Sequence, residues 1–403
     1  MRLLVALALV CAGLAAQSTH AQDRLSVLGE LDLRWVSASA PSSYLDGGLG
    51  TLRFDSDHEG LRLGHVLLAS RIRINDILTV HADLFAYGDH DRNLIDLSEA
   101  WIEARPFPSQ SVRWSARAGA FFLPVSLENR GPGWSDVYTI TPSALNTWTG
   151  EEFRTVGTEF EARWLGAGRD YVGDVALVAA LYGWNDPAGV LLADRGFALT
   201  DRPSTLFGGL GKPPVNFYHE IDHKPGYYSG VTWRHHDRLE VRALHYDNRA
   251  DPSATTSSAF AWRTRFSSVG ARLEPTAPWT FIAQYLDGDT AVGPNAVIDE
   301  QFRMTYRAAF LLSSLEWHRE RFTLRFDDFR THQSSGFYGP PSDDLGHAWT
   351  VGWSHDFGAG LQMAAECIRV TSRFPPRANI GESVGLVESQ LQIAVRYRFH
   401  WET

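Results

Sequence analysis

Two groups of residues in this sequence have types and spacing that could support chemistry, and the first is a histidine pair. His219, Glu220 and His223 match the pattern H-E-x-x-H. In zinc metalloproteases both histidines bind zinc from one face of a helix, and the glutamate acts as general base. Here Pro213-Pro214 and Pro225-Gly226 flank the motif and leave room for barely two helical turns. No convincing third ligand lies nearby, although Asp222 or His235 could serve. We therefore expect no catalytic zinc site and at most adventitious metal binding at His219 and His223.

Other catalytic patterns are weak or missing. No G-x-S-x-G nucleophile turn occurs, and Gly208 to Lys212 resembles a phosphate-binding loop only superficially, because Pro213-Pro214 follows at once. We therefore expect no catalytic residue, no cofactor and no metal.

The second group is an unusual number of arginines. The 403 residues contain 37 lysines and arginines, of which only Lys212 and Lys224 are lysines, so 37 − 2 leaves 35 arginines. The net charge of −10 nevertheless makes a nucleic-acid partner improbable. The mean hydropathy of −0.21 argues against a helical membrane protein. The function of the arginines therefore depends on where the fold places them.

The first 21 residues have the features of a secretory signal peptide. Arg2 supplies the positive charge, the segment from Leu3 to Ala16 is apolar, and Thr19-His20-Ala21 offers a cleavage site before Gln22. Cleavage would leave 36 basic and 47 acidic residues, a net charge of −11. Because Cys367 would then be the single cysteine, we expect an exported protein without an intramolecular disulfide.

The elements that must position the arginines are β-strands. Apolar and polar residues alternate with period two over segments of about ten residues, separated by turn-forming residues. In the last segment Leu391, Val395 and Phe399 alternate with Gln392, Arg396 and other polar residues. The pattern predicts about sixteen strands, at 24–37, 60–74, 77–87, 95–106, 111–121, 154–165, 171–184, 227–235, 238–247, 259–273, 278–287, 302–317, 320–331, 347–357, 360–372 and 386–401.

The connections between these strands alternate between short and long. Tight turns such as 75–76, 236–237 and 358–359 alternate with long polar segments such as 122–153 and 185–226. This alternation is typical of an all-β, antiparallel, up-and-down transmembrane β-barrel with short periplasmic turns and long extracellular loops. Aromatic residues on the apolar face beside the short turns would form an interfacial girdle, namely Trp164, Trp233, Trp279, Trp317, Phe322, Phe357 and Trp401.

With these features the chain resembles the Gram-negative outer-membrane porins of about sixteen strands. The resemblance covers 22–403 as one barrel domain and rests on architecture and on the aromatic last strand, Gln392 to Trp401, although Glu402 and Thr403 follow where the family usually ends. It implies a water-filled pore, commonly in a homotrimer. In porins of this size the loop corresponding to 122–153 folds inward and narrows the pore.

The strand phase places a basic set of side chains in the lumen, if the alternation shifts at bulges near Ser267-Ser268 and Ser313-Ser314. We expect arginines on the wall to face acids of the loop 122–153 across the constriction and to favour anions. The predicted lining residues are Arg113, Arg117, Arg154, Arg242, Arg263, Arg265, Arg307, Arg325 and Arg396 on the wall, and Glu128, Asp136, Glu151 and Glu152 on the loop.

We therefore predict a passive porin, not an enzyme, for small hydrophilic and preferentially anionic solutes. Its surroundings would be outer-membrane lipid and lipopolysaccharide. Two alternatives share the alternating pattern: a barrel enzyme of the lipase or protease kind, and a secreted soluble β protein that binds glycans.

Overall fold

A computed structural model describes residues 25–89, 95–108, 111–166, 173–211, 215–236, 238–336 and 341–403. Sixteen antiparallel strands form one closed barrel in which each strand pairs with its sequence neighbours and β1 pairs with β16. The predicted all-β barrel fold is therefore confirmed. The predicted signal peptide, 1–21, lies outside the described residues.

The strands follow the predicted segments closely. Their bounds are Leu25–Ser39 (β1), Gly60–Arg73 (β2), Leu78–Ala86 (β3), Ile95–Ala104 (β4), Val112–Phe122 (β5), Arg154–Trp164 (β6), Asp174–Gly183 (β7), Gly226–His235 (β8), Leu239–Asp247 (β9), Arg263–Leu273 (β10), Trp279–Val292 (β11), Phe302–Trp317 (β12), Glu320–Ser335 (β13), Leu345–Gly358 (β14), Leu361–Arg373 (β15) and Gly385–Glu402 (β16).

Short helices lie in the long loops. They are the α-helices Ala144–Glu152 (α1) and Val190–Arg195 (α2) and the 3-10 helices Tyr44–Asp46, Pro132–Trp134 and Pro375–Ile380. Ser143 caps α1 by accepting a hydrogen bond from the Asn146 amide. Within the described part of the chain, none of the helices has the length and apolar character needed to cross a membrane.

The two faces of the wall differ as the alternation predicts over most of the barrel. On β1, Leu31, Leu33 and Trp35 are exposed on the outside, whereas Asp32 and Arg34 on the inside are fully buried. The inner face is buried because three long loops fold into the barrel: loop 1 (40–59), loop 3 (123–153) and the described part of loop 4 (184–211 and 215–225). The core of the protein therefore lies inside the barrel, between these loops and the wall.

The two predicted bulges are absent. Strand β10 pairs continuously with β9 and β11 through Ser267 and Ser268, and β12 pairs continuously with β11 and β13 through Ser313 and Ser314. Register shifts occur elsewhere, for example opposite Asp32 and Asp83. Because a single extra residue inverts the face of every later side chain, the missing bulges change which arginines point inward.

Candidate functional site: the lumen

Loop 3 is attached to one side of the lumen through Arg325 of β13. The Arg325 guanidinium donates hydrogen bonds to the carbonyl oxygens of Thr141 (2.7 Å) and Pro142 (3.0 Å). It also forms a salt bridge with Asp327 at 2.9 Å and lies 3.6 Å from the Asp136 carboxylate. Because Arg325 is completely buried, these partners replace the water that its charge would otherwise need.

Acidic wall residues fix the same segment of loop 3. The Glu366 carboxylate of β15 accepts hydrogen bonds from the amides of Ile140 (2.8 Å) and Thr141 (3.0 Å). Asp327 accepts one from the amide of Ala144, the first residue of α1, at 3.0 Å. A carboxylate at this position accepts a hydrogen bond from a free amide of the first helical turn, and its negative charge interacts favourably with the positive end of the helix dipole.

The wall at β9, four strands away from β13, holds the beginning of loop 3. The Arg242 guanidinium of β9 donates hydrogen bonds to the carbonyl oxygens of Pro124 and Ser126, both at 2.9 Å. Arg130 forms a salt bridge with Glu240 of β9 at 2.6 Å. Loop 3 is thus fixed to the wall at β9 as well as at β13 and β15.

Helix α1 lies in an aromatic core, which consists of Trp148, Phe153, Phe197, Tyr246, Phe266 and Tyr306. The Trp148 side chain is fully buried, and its ring centroid lies 4.6 Å from that of Phe153 and 4.7 Å from that of Tyr306 on β12. Edge-to-face pairs at these distances add to the stabilisation from burial. This part of the lumen is therefore filled by apolar side chains.

The carboxylates at the end of α1 connect loop 3 to loop 4. Glu151 is hydrogen-bonded by Tyr44 and Arg195, and Glu152 accepts hydrogen bonds from Trp148 and from the amides of Gly189 (3.0 Å) and Leu191 (2.9 Å). Burial raises the pKa of Glu152 to about 7, although these hydrogen bonds act in the opposite direction. Glu152 therefore changes charge near neutral pH.

A second cluster inside the barrel is charged, and we call it the arginine network. It consists of Asp32, Arg34, Arg53, Asp89, Asp201, Arg202 and Arg396. Asp201 of loop 4 lies at its centre and binds Arg34 at 2.5 Å and Arg53 at 3.0 Å. Burial alone would raise the pKa of Asp201, but Arg34 and Arg53 outweigh it and hold the pKa well below the usual range. Asp201 therefore remains charged.

A narrow gap of about 20 Å³ lies between the loops and the wall, and most of its lining surface is apolar. Asp136 and Asn146 of loop 3, Asp201 of loop 4, and His65 and Arg396 of the wall line it. This volume holds about one water molecule. Burial and the neighbouring Glu128 carboxylate raise the pKa of Asp136 well above its usual range, which reduces the negative charge at the gap.

A larger cavity of about 250 Å³ lies toward the end of the barrel with the short turns. It shares Asp136 and Arg396 with the gap, and Arg321 and Arg398 also line it. Three arginines and one carboxylate thus face the cavity.

The structure brings most of the predicted lining residues to the inside of the barrel. Arg325, Arg396, Arg242 and Arg117 lie on the inner face, and Arg117 forms a salt bridge with Glu159 at 2.7 Å. Arg113 lies on the same, inner face of β5 as Arg117, four residues away. The loop residues Glu128, Asp136, Glu151 and Glu152 are all buried inside the barrel.

Arg154 is buried in a different way from the other arginines. It is the first residue of β6, and its guanidinium stacks on the rings of Phe122 (4.3 Å) and Tyr218 (5.2 Å) and donates to the Ser204 carbonyl. It therefore holds loop 4 in place and does not line the gap or the cavity.

Three predicted lining residues lie on the outer face, so that prediction is wrong. Arg263 and Arg265 lie on the same face of β10 as the exposed Val269, and Arg307 lies on the same face of β12 as the exposed Leu311. The reason is the continuous register of these strands, in which the inward positions are taken by residues such as Phe266 and Tyr306.

Sequence reasoning missed the central members of the arginine network. Arg34, Arg53 and Asp201 were not predicted to line the lumen. The alternation on β1 does place Asp32 and Arg34 inside, which is a usable signal. Nothing in the sequence pairs Asp201 with them, because it belongs to a distant loop.

The described part of the chain contains three groups of acidic and histidine side chains that could hold a metal ion, and within each group the potential ligand atoms lie within 4.8 Å of one another. The groups are Glu30, Asp32 and His65; Asp46, Asp55 and His58; and Asp186, Glu220 and Asp222. Arg34 and Arg396 already neutralise the first group. The third group contains Glu220 of the H-E-x-x-H motif but neither of its histidines. Residues 216–225 form no helix, so His219 and His223 do not share a helical face.

No protein-family model and no curated protein matches this sequence, but solved structures match the fold. The outer membrane channel DcaP of Acinetobacter baumannii superposes with a TM-score of 0.56 at 10% identity, over 93% of this chain and 96% of that one. The anion-selective porin from Comamonas acidovorans gives 0.54 at 10% identity, over 94% and 100%. The trimer form of OmpT, an outer membrane protein of Vibrio cholerae, gives 0.50 at 10% identity, over 94% and 100%. The chain therefore has the fold of the outer-membrane porins.

Proposed function

We propose that this protein is a passive outer-membrane channel for small hydrophilic solutes and not an enzyme. The observation that carries the proposal is the gap between the loops and the wall, which shares the charged residues Asp136 and Arg396 with the larger cavity on the short-turn side. Sixteen strands are enough for an aqueous path, and the path here runs between loop 3 and the wall. Loop 3 acts as the constriction.

We infer that anions are favoured at the cavity. Its described lining residues include Arg321, Arg396 and Arg398 and a single carboxylate, Asp136. The carboxylates that pair with these arginines, Glu316, Asp32 and Glu30, are not among the lining residues. An excess of arginines in a pore raises the local concentration of anions. The fold neighbour from Comamonas is described as an anion-selective porin, which agrees with this direction.

Solutes larger than water require loop 3 or loop 4 to move, because the gap has room for about one water molecule. We propose that the conducting state keeps α1 in the aromatic core and displaces the segment around Asp136 or Asp201. The closed and conducting states would then differ mainly in the polar contacts of the loops.

Conductance in a planar lipid bilayer tests the proposal. The purified, folded barrel should give discrete conductance steps, and a salt gradient should give a reversal potential that indicates anion preference. Heat-modifiable migration on a gel confirms that the sample is folded. Absence of conductance from a folded sample would contradict the channel function, whereas a cation-selective reversal potential would contradict only the charge preference.

We propose that the barrel assembles as a homotrimer through β2 to β5. The outer face of these strands carries small side chains, including Ala82, Ala100, Ala116 and Ala118, so two copies could approach closely. A Vibrio cholerae protein of this fold has a trimer form. Light scattering in detergent should give three chains per particle, and Ala118→Arg should reduce this to one.

We also propose that residues 1–21 direct export and are removed. Mass spectrometry of the protein isolated from outer membranes should then show Gln22 as the first residue. A chain that keeps Met1 would contradict this assignment.

A further inference from the structure

The larger cavity on the short-turn side of loop 3 has two chemically different sides. Its volume is about 250 Å³, compared with about 20 Å³ for the gap. Strands β13 and β16 contribute Arg321, Arg396 and Arg398 to one side. Loop 3 contributes Pro132 and Val137 to the other. A molecule in the cavity would therefore contact charged and apolar groups at the same time.

The most buried of these arginines keeps free hydrogen-bond donors. Arg396 is only 7% exposed, and its Nε donates a hydrogen bond to Asp32 at 2.7 Å. Within the part of the chain that the structure describes, neither terminal nitrogen of Arg396 has a hydrogen-bond acceptor. A buried donor without an acceptor costs stability. Because Arg396 lines the cavity, an anionic group bound there would supply the missing acceptors.

The two neighbouring arginines are arranged similarly. Arg398 donates its Nε to Glu30, and Arg321 donates one terminal nitrogen to Glu316. No other described residue accepts a hydrogen bond from either guanidinium. The partner carboxylates therefore balance the charge of these arginines but leave most of their five N–H donors unfilled.

The carboxylate that does line the cavity is already occupied. Asp136 accepts hydrogen bonds from the Tyr138 amide at 2.7 Å and from the Thr139 hydroxyl at 2.5 Å. Burial and the neighbouring Glu128 raise the pKa of Asp136 well above its usual range. Asp136 therefore adds little negative charge that would repel an anion.

Loop 3 exposes an apolar side chain inside the barrel. Val137 is 41% exposed, although Tyr138 and Ile140 next to it are buried. Val137 lines the cavity together with Pro132. An apolar side chain in contact with water lacks the stabilisation that burial gives. A ligand with an apolar body would cover Val137 and provide it.

We propose that this cavity is a saturable binding site for small organic carboxylates that carry an apolar body. The carboxylate would accept hydrogen bonds from Arg396 and Arg398, and the apolar body would pack against Pro132 and Val137. A planar carboxylate matches the parallel N–H donors of a guanidinium. The inference rests on the proposed channel function and names the class of solute that the channel selects.

Equilibrium dialysis of the purified, folded barrel in detergent tests the site, with protein-free micelles as the blank. The probes are benzoate, benzamide and acetate. Benzamide is neutral and has nearly the shape of benzoate, so benzoate should bind at least about tenfold more tightly, as expected for hydrogen bonds between charged groups. Acetate has the carboxylate without the ring and should also bind about tenfold more weakly than benzoate, because it buries less apolar area.

Three variants assign the binding to the two sides of the cavity. Arg396→Gln should weaken benzoate binding at least about tenfold. Val137→Thr should weaken benzoate binding about fourfold, the effect of roughly one buried methylene group, and leave acetate binding unchanged. Arg369→Gln is the matched control, since Arg369 is exposed on the outer face of β15, and it should bind benzoate as the wild type does. Migration on a gel verifies that each variant folds, and Val137→Thr decides the test if Arg396→Gln does not fold.

The possible failures can be separated. Equal affinity of the wild type for benzoate and benzamide, or for benzoate and acetate, would overturn the site, as would unchanged benzoate binding in Arg396→Gln. Displacement of benzoate by equimolar inorganic phosphate would also overturn it, because the arginines would then bind any oxyanion. Conductance in potassium chloride, measured on the same preparations, reports on the channel function. Conductance without benzoate binding would contradict only the site, whereas benzoate binding without conductance would contradict the channel function and keep the site.

Discussion

The two sides of the lumen hold the inserted loops by different physical means. Around α1 the buried contacts of Trp148 are with aromatic rings of the loops and of β10 and β12, and polar contacts of Asp327, Glu151 and Glu152 lie at the ends of the helix. Next to β1 and β16 the contacts are charged, with Asp201 between Arg34 and Arg53. The gap touches the second side, through Asp201 and Arg396. We conclude that the aromatic core anchors the loops, whereas the arginine network borders the path.

This difference has a mechanical consequence. Close-packed apolar contacts lose their stabilisation as soon as a gap opens, so α1 has few alternatives to its present position. Buried ion pairs can exchange partners when water enters, because desolvation offsets much of their attraction. Movement of the loops should therefore begin at Asp201 and Asp136.

Removal of the central aromatic side chain should have the largest effect. Trp148→Ala should destabilise the docking of loop 3 by about 3–5 kcal/mol, the usual cost of deleting a buried tryptophan side chain. Limited proteolysis should then cut within 123–153, and single-channel conductance should rise while the barrel stays folded. Trp349→Ala is the matched control, since Trp349 is 49% exposed on the outer face. Equal protease resistance of wild type and Trp148→Ala would contradict the anchoring role.

A smaller effect is expected from the charged side. Asp201→Asn removes the charge that Arg34 and Arg53 share, at a cost of about 2 kcal/mol for hydrogen bonds between charged groups. The uncompensated arginines should make the gap more attractive to anions, and the reversal potential in a salt gradient should shift in that direction. Asp194→Asn, an exposed carboxylate of the same loop, should leave it unchanged. A shift toward cations would refute the placement of the path.

The pH dependence distinguishes the two sides further. Glu152, with a pKa of about 7 in the folded state against 4.5 for an ordinary glutamate, favours folding in its neutral form. Its contribution to loop docking is therefore complete below about pH 4.5, falls as the pH rises through 7 and is constant above that. Conductance should increase between pH 5 and pH 8. Glu152→Gln should remove part of this dependence, because burial also raises the pKa of Asp344, which accepts a hydrogen bond from the Phe197 amide, to about 7. An unchanged profile in the Glu152→Gln variant would contradict the role of Glu152.

The sequence is sufficient to predict the barrel because each strand carries its own alternation. The predicted last strand, 386–401, corresponds to the observed Gly385–Glu402. The interior was less predictable, since the contacts of Glu366 with Ile140 and of Asp201 with Arg34 join residues that are far apart in the chain. No local pattern encodes such pairs.

The errors at Arg263, Arg265 and Arg307 have a specific physical cause. An apolar residue in a barrel strand is usually assigned to the lipid side, but the lumen beside β10 and β12 is filled by the aromatic core. Phe266 and Tyr306 therefore face inward, and the arginines next to them face outward at the end with the long loops. The alternation continues without a bulge, but at this end of the strands the apolar residues face inward and the polar residues face outward. From the sequence alone, this change looks like a bulge.

The smallest expected effect tests this reversal directly. Arg265 lies on the outer face and pairs with Asp289, so Arg265→Gln should leave the reversal potential as in the wild type. Arg396 lines both the gap and the cavity. Arg396→Gln should lower the preference for anions by ~1 kcal/mol, the interaction of two unit charges about 4 Å apart in water. If Arg265→Gln changed selectivity as much as Arg396→Gln does, the path would lie beside β10, and the distinction between an anchoring side and a conducting side would fail.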